Sequence, residues 1–217
     1  MSATAYSPHL YMFCRNSLLV MLKLINRLSI HGSENIPAKG GVLLVANHAS
    51  FLDPPALGCA AMHRHVRFMA RDTLFTNRWF GRLLHGVAVV PISRERGDVS
   101  ALKKALAVLK AGDCLGFFPE GTRSPDGTLQ PAKPGIGFIA AKAGVPVVPT
   151  YIDGSFKALA RHHRWIRPYK IRVHVGKPIK PSEFEPFLNA EDRYDKIGEF
   201  IMSRIRDLAP RQLEPAK

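Results

Sequence analysis

GVLLVANHASFLDPPAL, residues 41–57, is an apolar run that breaks at a polar turn and restarts at two prolines. Residues 42–46 are aliphatic without alternation, the pattern of a strand covered on both faces. Asp53 stands directly before Pro54 and Pro55. That order reads as a helix entrance, because aspartate suits the capping residue and proline the first helical turn. Strand, turn and helix form the repeating unit of layered α/β proteins, in which ligands gather at the carboxyl ends of strands. His48 and Asp53 stand at such an end.

The same alternation continues outward. VRFMA (66–70), VAVVPI (87–92), CLGFF (114–118), VPVVPTYI (145–152) and KIRVHV (170–175) are further compact runs suited to strands. Between them DVSALKKALAVLKAGD (98–113) reads as a helix, with Asp98 as N-cap, Val99, Leu102, Leu106 and Leu109 on one face and Gly112 as the stop. GIGFIAAKAG (135–144) and EDRYDKIGEFIMSRIRDL (191–208) are helical as well. The expected fold is therefore α/β, a mainly parallel sheet flanked by helices, over residues 33–217 as one domain. One irregular piece, PEGTRSPDGTLQPAKP (119–134), is long enough to suggest a functional loop.

Composition narrows the class. Of 217 residues 46% are hydrophobic and 22% charged, which excludes a disordered chain. Lys and Arg number 31 against 17 Asp and Glu, a net charge of +14 that draws the chain toward an anionic lipid surface, an acidic partner or nucleic acid. Cys14, Cys59 and Cys114 are odd in number and widely spaced, so neither a disulfide frame nor a zinc site is expected. His63, His65, His162 and His163 lack companions at metal-ligand spacing, and no metal is read.

HLYMFCRNSLLVMLKLINRLSI (9–30) is membrane-seeking, yet Arg15, Lys23 and Arg27 interrupt it too often for a spanning helix. At 100° per residue Arg15, Asn16, Lys23, Asn26 and Arg27 share about 120° of arc, leaving the rest to Leu18, Val20, Met21, Leu24, Ile25 and Leu28. Residues 1–32 are thus expected to form an amphipathic membrane-interface segment. A helix docked on its own domain is the alternative; the breadth of the apolar sector and the basic polar face favour the interface. No basic residue precedes the apolar part and no small-residue site follows it, so an export signal is not expected. Peripheral or monotopic association with the cytoplasmic face of the cell membrane is the expected location.

Three strand ends carry the chemistry. On a regular helix His48 and Asp53 would not face each other, but a residue before proline is pushed out of helical conformation, so the segment is read as a loop that folds back. Asp53 would then accept from one imidazole nitrogen and leave the other free as a base. As a plain helix entrance the pair would do nothing. FFPEGTRS (117–124) brings Glu120, Gly121, Thr122 and Arg123 to a second strand end, where Gly121 makes a turn. HGVAVVPISRERGD (85–98) brings Arg94 and Arg96 to a third, with guanidinium donors suited to a phosphate. The run RHHRWIRPYKIR (161–172) interleaves positive charge with Trp165 and Tyr169, which fits a lipid headgroup or an acidic carrier protein better than nucleic acid.

These stretches resemble the glycerolipid acyltransferase superfamily, whose lysophosphatidate acyltransferases carry an N-H-x-x-x-x-D block. NHASFLD (47–53) matches it, GVAVVPISR (86–94) is similar to the second block, FPEGTRS (118–124) to the third and VPVVPTYIDGS (145–155) to the fourth. Two positions depart from the pattern: Arg71 in MARDTLF is an altered form of a basic residue, and Ser93 stands where aspartate is frequent. The resemblance implies acyl transfer from a thioester on coenzyme A or acyl carrier protein, as co-substrate and without cofactor, to the sn-2 hydroxyl of 1-acylglycerol 3-phosphate. It implies His48 as base and Asp53 as its partner. Arg94, Arg123 and Lys133 would hold the phosphate, while Glu120, Gly121 and Thr122 would shape the acceptor site. No G-x-S-x-G elbow is present, in keeping with direct transfer, and Ser50 is read as a turn residue. Other lyso-lipid acceptors, such as a lyso-ornithine lipid, remain alternatives, as does a basic membrane-binding module without catalysis. Nucleotide binding by GIGFIA (135–140) is disfavoured because PAKP, not a strand, precedes it.

Overall fold

The computed structural model describes residues 6–93 and 98–210, Asp98 through its backbone alone. In chain order the elements are α1 (Pro8–Asn26), β1 (Ser29–His31), β2 (Val42–Ala46), α2 (Asp53–Ala60), β3 (Val66–Arg71), α3 (Arg78–Gly86), β4 (Val90–Ile92), α4 (Asp98–Lys110), β5 (Cys114–Phe117), α5 (Pro134–Ala143), β6 (Val147–Asp153), α6 (Ser155–Leu159), β7 (Arg172–Val175) and α7 (Arg193–Arg206). The seven strands form one sheet in the order β1-β7-β6-β2-β5-β3-β4. All neighbours are parallel except β6 and β7. The expected mainly parallel α/β fold is present.

β2 sits mid-sheet, hydrogen-bonded to β5 on one side and β6 on the other, with Leu43 opposite both Leu115 and Val147. Its five residues are fully buried, and they alternate between two cores. Val42, Leu44 and Ala46 pack with Leu22 of α1 and Ala56 and Leu57 of α2. Leu43 and Val45 face Leu109, Ile136 and Ile197, contributed by α4, α5 and α7. A strand covered on both faces needs apolar residues at every position, which explains the unbroken run. Gly137 lets the helices of the second layer meet closely: a β-carbon there would lie 1.8 Å from the carbonyl oxygen of Tyr194. The glycines that mimic a nucleotide fingerprint therefore serve helix packing.

Of the segment 1–32 set apart in the sequence, the described part supplies β1 to the sheet and packs α1 against α2. The polar sector of α1 is used inward in part. Arg15 is buried and donates from Nη1 to the Met62 carbonyl at 2.7 Å, and Asn26 is fully buried. Phe13, Val20 and Leu24 form an outward stripe on the same helix. No described helix is long and apolar enough to cross a membrane. The sequence reading passed over β1, α3 and α6, and began the strand that corresponds to β4 at residue 87, where regular pairing starts only at Val90.

Candidate active site

The turn from Asn47 to Asp53 leaves β2 at its carboxyl end and enters α2, so the strand and the helix fix both ends of the motif. Asp53 is the first residue of α2, with Leu52 as N-cap. Its side chain does not cap the helix. It folds back instead, and one oxygen, Oδ2, accepts from the backbone N–H of Ala49 (2.7 Å) and Ser50 (2.6 Å) and meets His48 Nδ1 at 2.9 Å. Asp53 is completely buried, whereas the His48 side chain keeps 17% exposure. A carboxylate partner places the hydrogen on Nδ1 and leaves Nε2 as the acceptor. The imidazole stacks on Phe118, ring centroids 4.2 Å apart, which fixes its plane.

The other strand ends brace this turn. Glu120 Oε1 accepts from the His48 N–H at 2.7 Å, and the Ser124 N–H donates to the His48 carbonyl at 2.7 Å. Asn47 exchanges two bonds with Ile152 of β6, donating from Nδ2 to its carbonyl at 3.0 Å and accepting its N–H at 2.7 Å. Ser50 is buried and donates to the Leu159 carbonyl at 2.7 Å, so it holds the turn rather than acting as a nucleophile. Glu120 is buried, with its second oxygen bonded by the Gln130 N–H at 3.3 Å. Burial pushes its carboxyl up to about 7, against the pull of those two N–H donors.

Arg123 stands against this turn. Its guanidinium lies 3.5 Å from the centroid of the Phe51 ring, and its Nη1 is buried without a hydrogen-bond partner among the described residues. Burial and the neighbouring Arg161 and Arg71 pull its pKa below the ordinary value, with Asp53 opposing. Arg123, Arg161 and Arg71 thus share one positive field, a cationic mouth at the Phe51 end of the turn. Gly121, at φ +68°, makes the turn ahead of Arg123, and a β-carbon there would sit 3.3 Å from Lys133 Cγ. Lys133 and Thr122 are exposed at this loop. Residues 119–134 hold themselves through Ser124, Asp126, Thr128 and Gln130, which satisfy one another and nearby backbone groups. Arg94 and Arg96 lie outside the described residues.

Sequence reasoning brought out His48, Asp53, Glu120 and Arg123, and the structure gathers them at neighbouring strand ends. It did not bring out Phe118, Phe51, Arg161, or the bracing bonds of Asn47 and Ser124. Position alone could have suggested Phe118, the last residue of an apolar run leading into the Glu120 turn.

An imidazole oriented by a buried carboxylate, with a guanidinium stacked on the same turn, has the chemistry to draw a proton from a hydroxyl. The model of a family described as Acyltransferase matches residues 27–153, and the chain belongs to that family. The chain is 30% identical over 201 residues to the 1-acyl-sn-glycerol-3-phosphate acyltransferase of Bacillus subtilis, spanning 92% of this chain and 96% of that one. It is 36% identical over 177 residues to a chloroplastic 1-acyl-sn-glycerol-3-phosphate acyltransferase of Brassica napus, covering 80% of this chain and 50% of the relative. The crystal structure of the 1-acyl-sn-glycerophosphate acyltransferase PlsC from Thermotoga maritima superposes with a TM-score of 0.74 at 27% identity, covering 96% of this chain and 80% of that one.

Proposed function

We propose that this O-acyltransferase moves a fatty acyl group from a thioester, carried by coenzyme A or acyl carrier protein, to the sn-2 hydroxyl of 1-acyl-sn-glycerol 3-phosphate, forming phosphatidate. The observation that carries the reading is the 2.9 Å contact between His48 Nδ1 and the buried Asp53. An alcohol is a poor nucleophile at neutral pH. His48 Nε2 takes the hydroxyl proton as the oxygen attacks the thioester carbonyl, and Asp53 stabilises the imidazolium that forms. When the tetrahedral intermediate collapses, the C–S bond breaks and the departing sulfur takes that proton. The products are the new ester and a free thiol, so no acyl-enzyme is needed.

Arg123 supports a phosphate-bearing acceptor over a phosphate-free one, because a buried guanidinium nitrogen without a partner among the described residues is best satisfied by an anion. Arg71 and Arg161 add positive potential at the same mouth, Lys133 is placed to approach from the loop, and Arg94 is assigned to the phosphate by its motif. Glu120, Gly121 and Thr122 shape the acceptor site through their turn, Glu120 by holding the His48 backbone. The outward stripe of α1 supports peripheral binding to an anionic membrane surface, where the acceptor resides.

The test is thiol release from an acyl thioester on addition of lysophosphatidate in detergent. The wild type should release thiol only with acceptor, and His48→Ala should lower the rate by about 10²- to 10⁴-fold. Equal rates in the two proteins would reduce His48 and Asp53 to a helix entrance.

A further inference from the structure

The basic run 161–172 lies outside the catalytic turn, and its backbone is firmly held. Asn26, at the end of α1, donates from Nδ2 to the carbonyls of Arg167 (2.8 Å) and Tyr169 (2.9 Å), while its own carbonyl accepts the Ile171 N–H at 2.9 Å. The Arg167 N–H is bonded to the Ala158 carbonyl at 2.8 Å, and Ile166 packs on the core beneath β2. The side chains have the opposite character. Arg164, Arg167, Tyr169 and Lys170 are exposed, and Trp165 is 81% exposed, the largest exposure among the large apolar residues. The segment contains no acidic residue.

Its two ends connect different parts of the molecule. The charge of Arg161 acts on Arg123, which stacks on Phe51 of the turn, so the run begins on the cationic side of the site. Near its other end Asn26 ties it to α1, where Leu24, 77% exposed, continues the outward apolar stripe. We propose that residues 161–170 are a second membrane contact, an edge of exposed arginines and lysine around Trp165 that docks on an anionic bilayer beside α1. Basic side chains are attracted to an anionic leaflet, and tryptophan and tyrosine favour the headgroup level. An acidic protein would complement the charge. It would not call for an exposed tryptophan and tyrosine set among the cations, the composition of the headgroup level, and that composition favours lipid.

The consequence rests on the lipid-acceptor reading above: a chain docked by α1 and this run presents the Arg123 mouth to the plane where headgroup phosphates lie. The docking itself is testable without activity. Full-length protein is sedimented with phosphatidylcholine vesicles, with and without phosphatidylglycerol, and compared with the triple variant Arg164→Gln, Arg167→Gln, Lys170→Gln. Loss of three cations should weaken binding to the anionic vesicles by about 100-fold and leave binding to neutral vesicles unchanged. Turnover of micellar lysophosphatidate should stay at the wild-type rate, which also reports intact folding. In a Trp79→Phe background, which leaves Trp165 as the single tryptophan, fluorescence should shift to the blue on anionic vesicles and be quenched by brominated acyl chains. Unchanged vesicle affinity or an unshifted Trp165 would overturn the proposal. So would intact vesicle binding with turnover lost only for carrier-protein donors, which would assign the run to an acidic protein. If the wild type turns over no lysophosphatidate while the triple variant still loses vesicle binding, the dock stands and the acceptor reading falls.

Discussion

The turn at residues 47–53 and the mouth formed by Arg71, Arg123 and Arg161 are neighbours of opposite kinds. In the turn, most polar groups are committed: Asp53 Oδ2 has three partners, Glu120 has two and Asn47 exchanges two bonds with β6, while Asp53 Oδ1 is buried without a partner among the described residues. At the mouth, like charges act on one another and a buried guanidinium nitrogen has no partner among the described residues. A network in which one carboxylate oxygen holds three donors fixes geometry, while a cationic pocket with a buried, unpartnered donor is completed by an anion. On the proposed function the turn positions the base and the arginines bind the acceptor, and the two should respond differently to substitution.

The largest effect of that separation belongs to Arg123. Arg123→Ala should raise the KM for lysophosphatidate by roughly 10- to 100-fold, the range of a lost hydrogen bond to a charged group, and leave turnover of monoacylglycerol, which has no phosphate, unaltered. Steady-state kinetics on both acceptors decides it; an equal loss on both would mean that Arg123 supports the turn and not the phosphate.

Glu120 tests the turn from the side of stability. Its folded pKa, pushed up to about 7, lies above its unfolded value, so the native state holds the proton more tightly. Stability should therefore fall as pH rises from about 4.5 to about 7, by on the order of 1–2 kcal/mol after solvent screening, and level off above. Urea titrations across that window should show the decline in the wild type and a flatter profile in Glu120→Gln. Identical slopes would remove Glu120 from the account of the turn.

The smallest effect is expected at the boundary between the regions. Phe51 belongs to the turn by sequence and to the mouth by contact, its ring lying under the Arg123 guanidinium. Phe51→Leu keeps the apolar bulk and removes the π face, so acceptor KM should rise about two- to fivefold with kcat held. A drop in kcat instead would place Phe51 with the base.

How much of this the sequence disclosed depends on the range of the interactions. The sheet was legible because strands buried on two faces leave unbroken apolar runs, as in residues 42–46. His48 and Asp53 were legible because their partnership is local and proline marks the bend. α3 was passed over: it is short, and its cap, Asn77, bonding the N–H groups of Trp79 and Phe80, is a local device within an exposed segment. In α1 the periodicity separated a polar from an apolar sector, but periodicity does not say which sector is covered. That was decided by carbonyls elsewhere in the chain, at Met62, Arg167 and Tyr169, which Arg15 and Asn26 satisfy. The cation–π contact of Arg123 and the bracing of His48 by Glu120 and Ser124 likewise join residues far apart in sequence, and no single stretch records them.

The pairing of Asn47 with Ile152, 105 positions later, has a consequence for synthesis on the ribosome. The histidine motif emerges early, yet its anchor does not exist until β6 has been made, and Ser50 waits longer still for Leu159. Contacts of such separation form late in folding. A nascent chain that has exposed the whole of NHASFLD therefore carries a base without a fixed orientation, and catalytic competence arrives only when most of the chain has been translated.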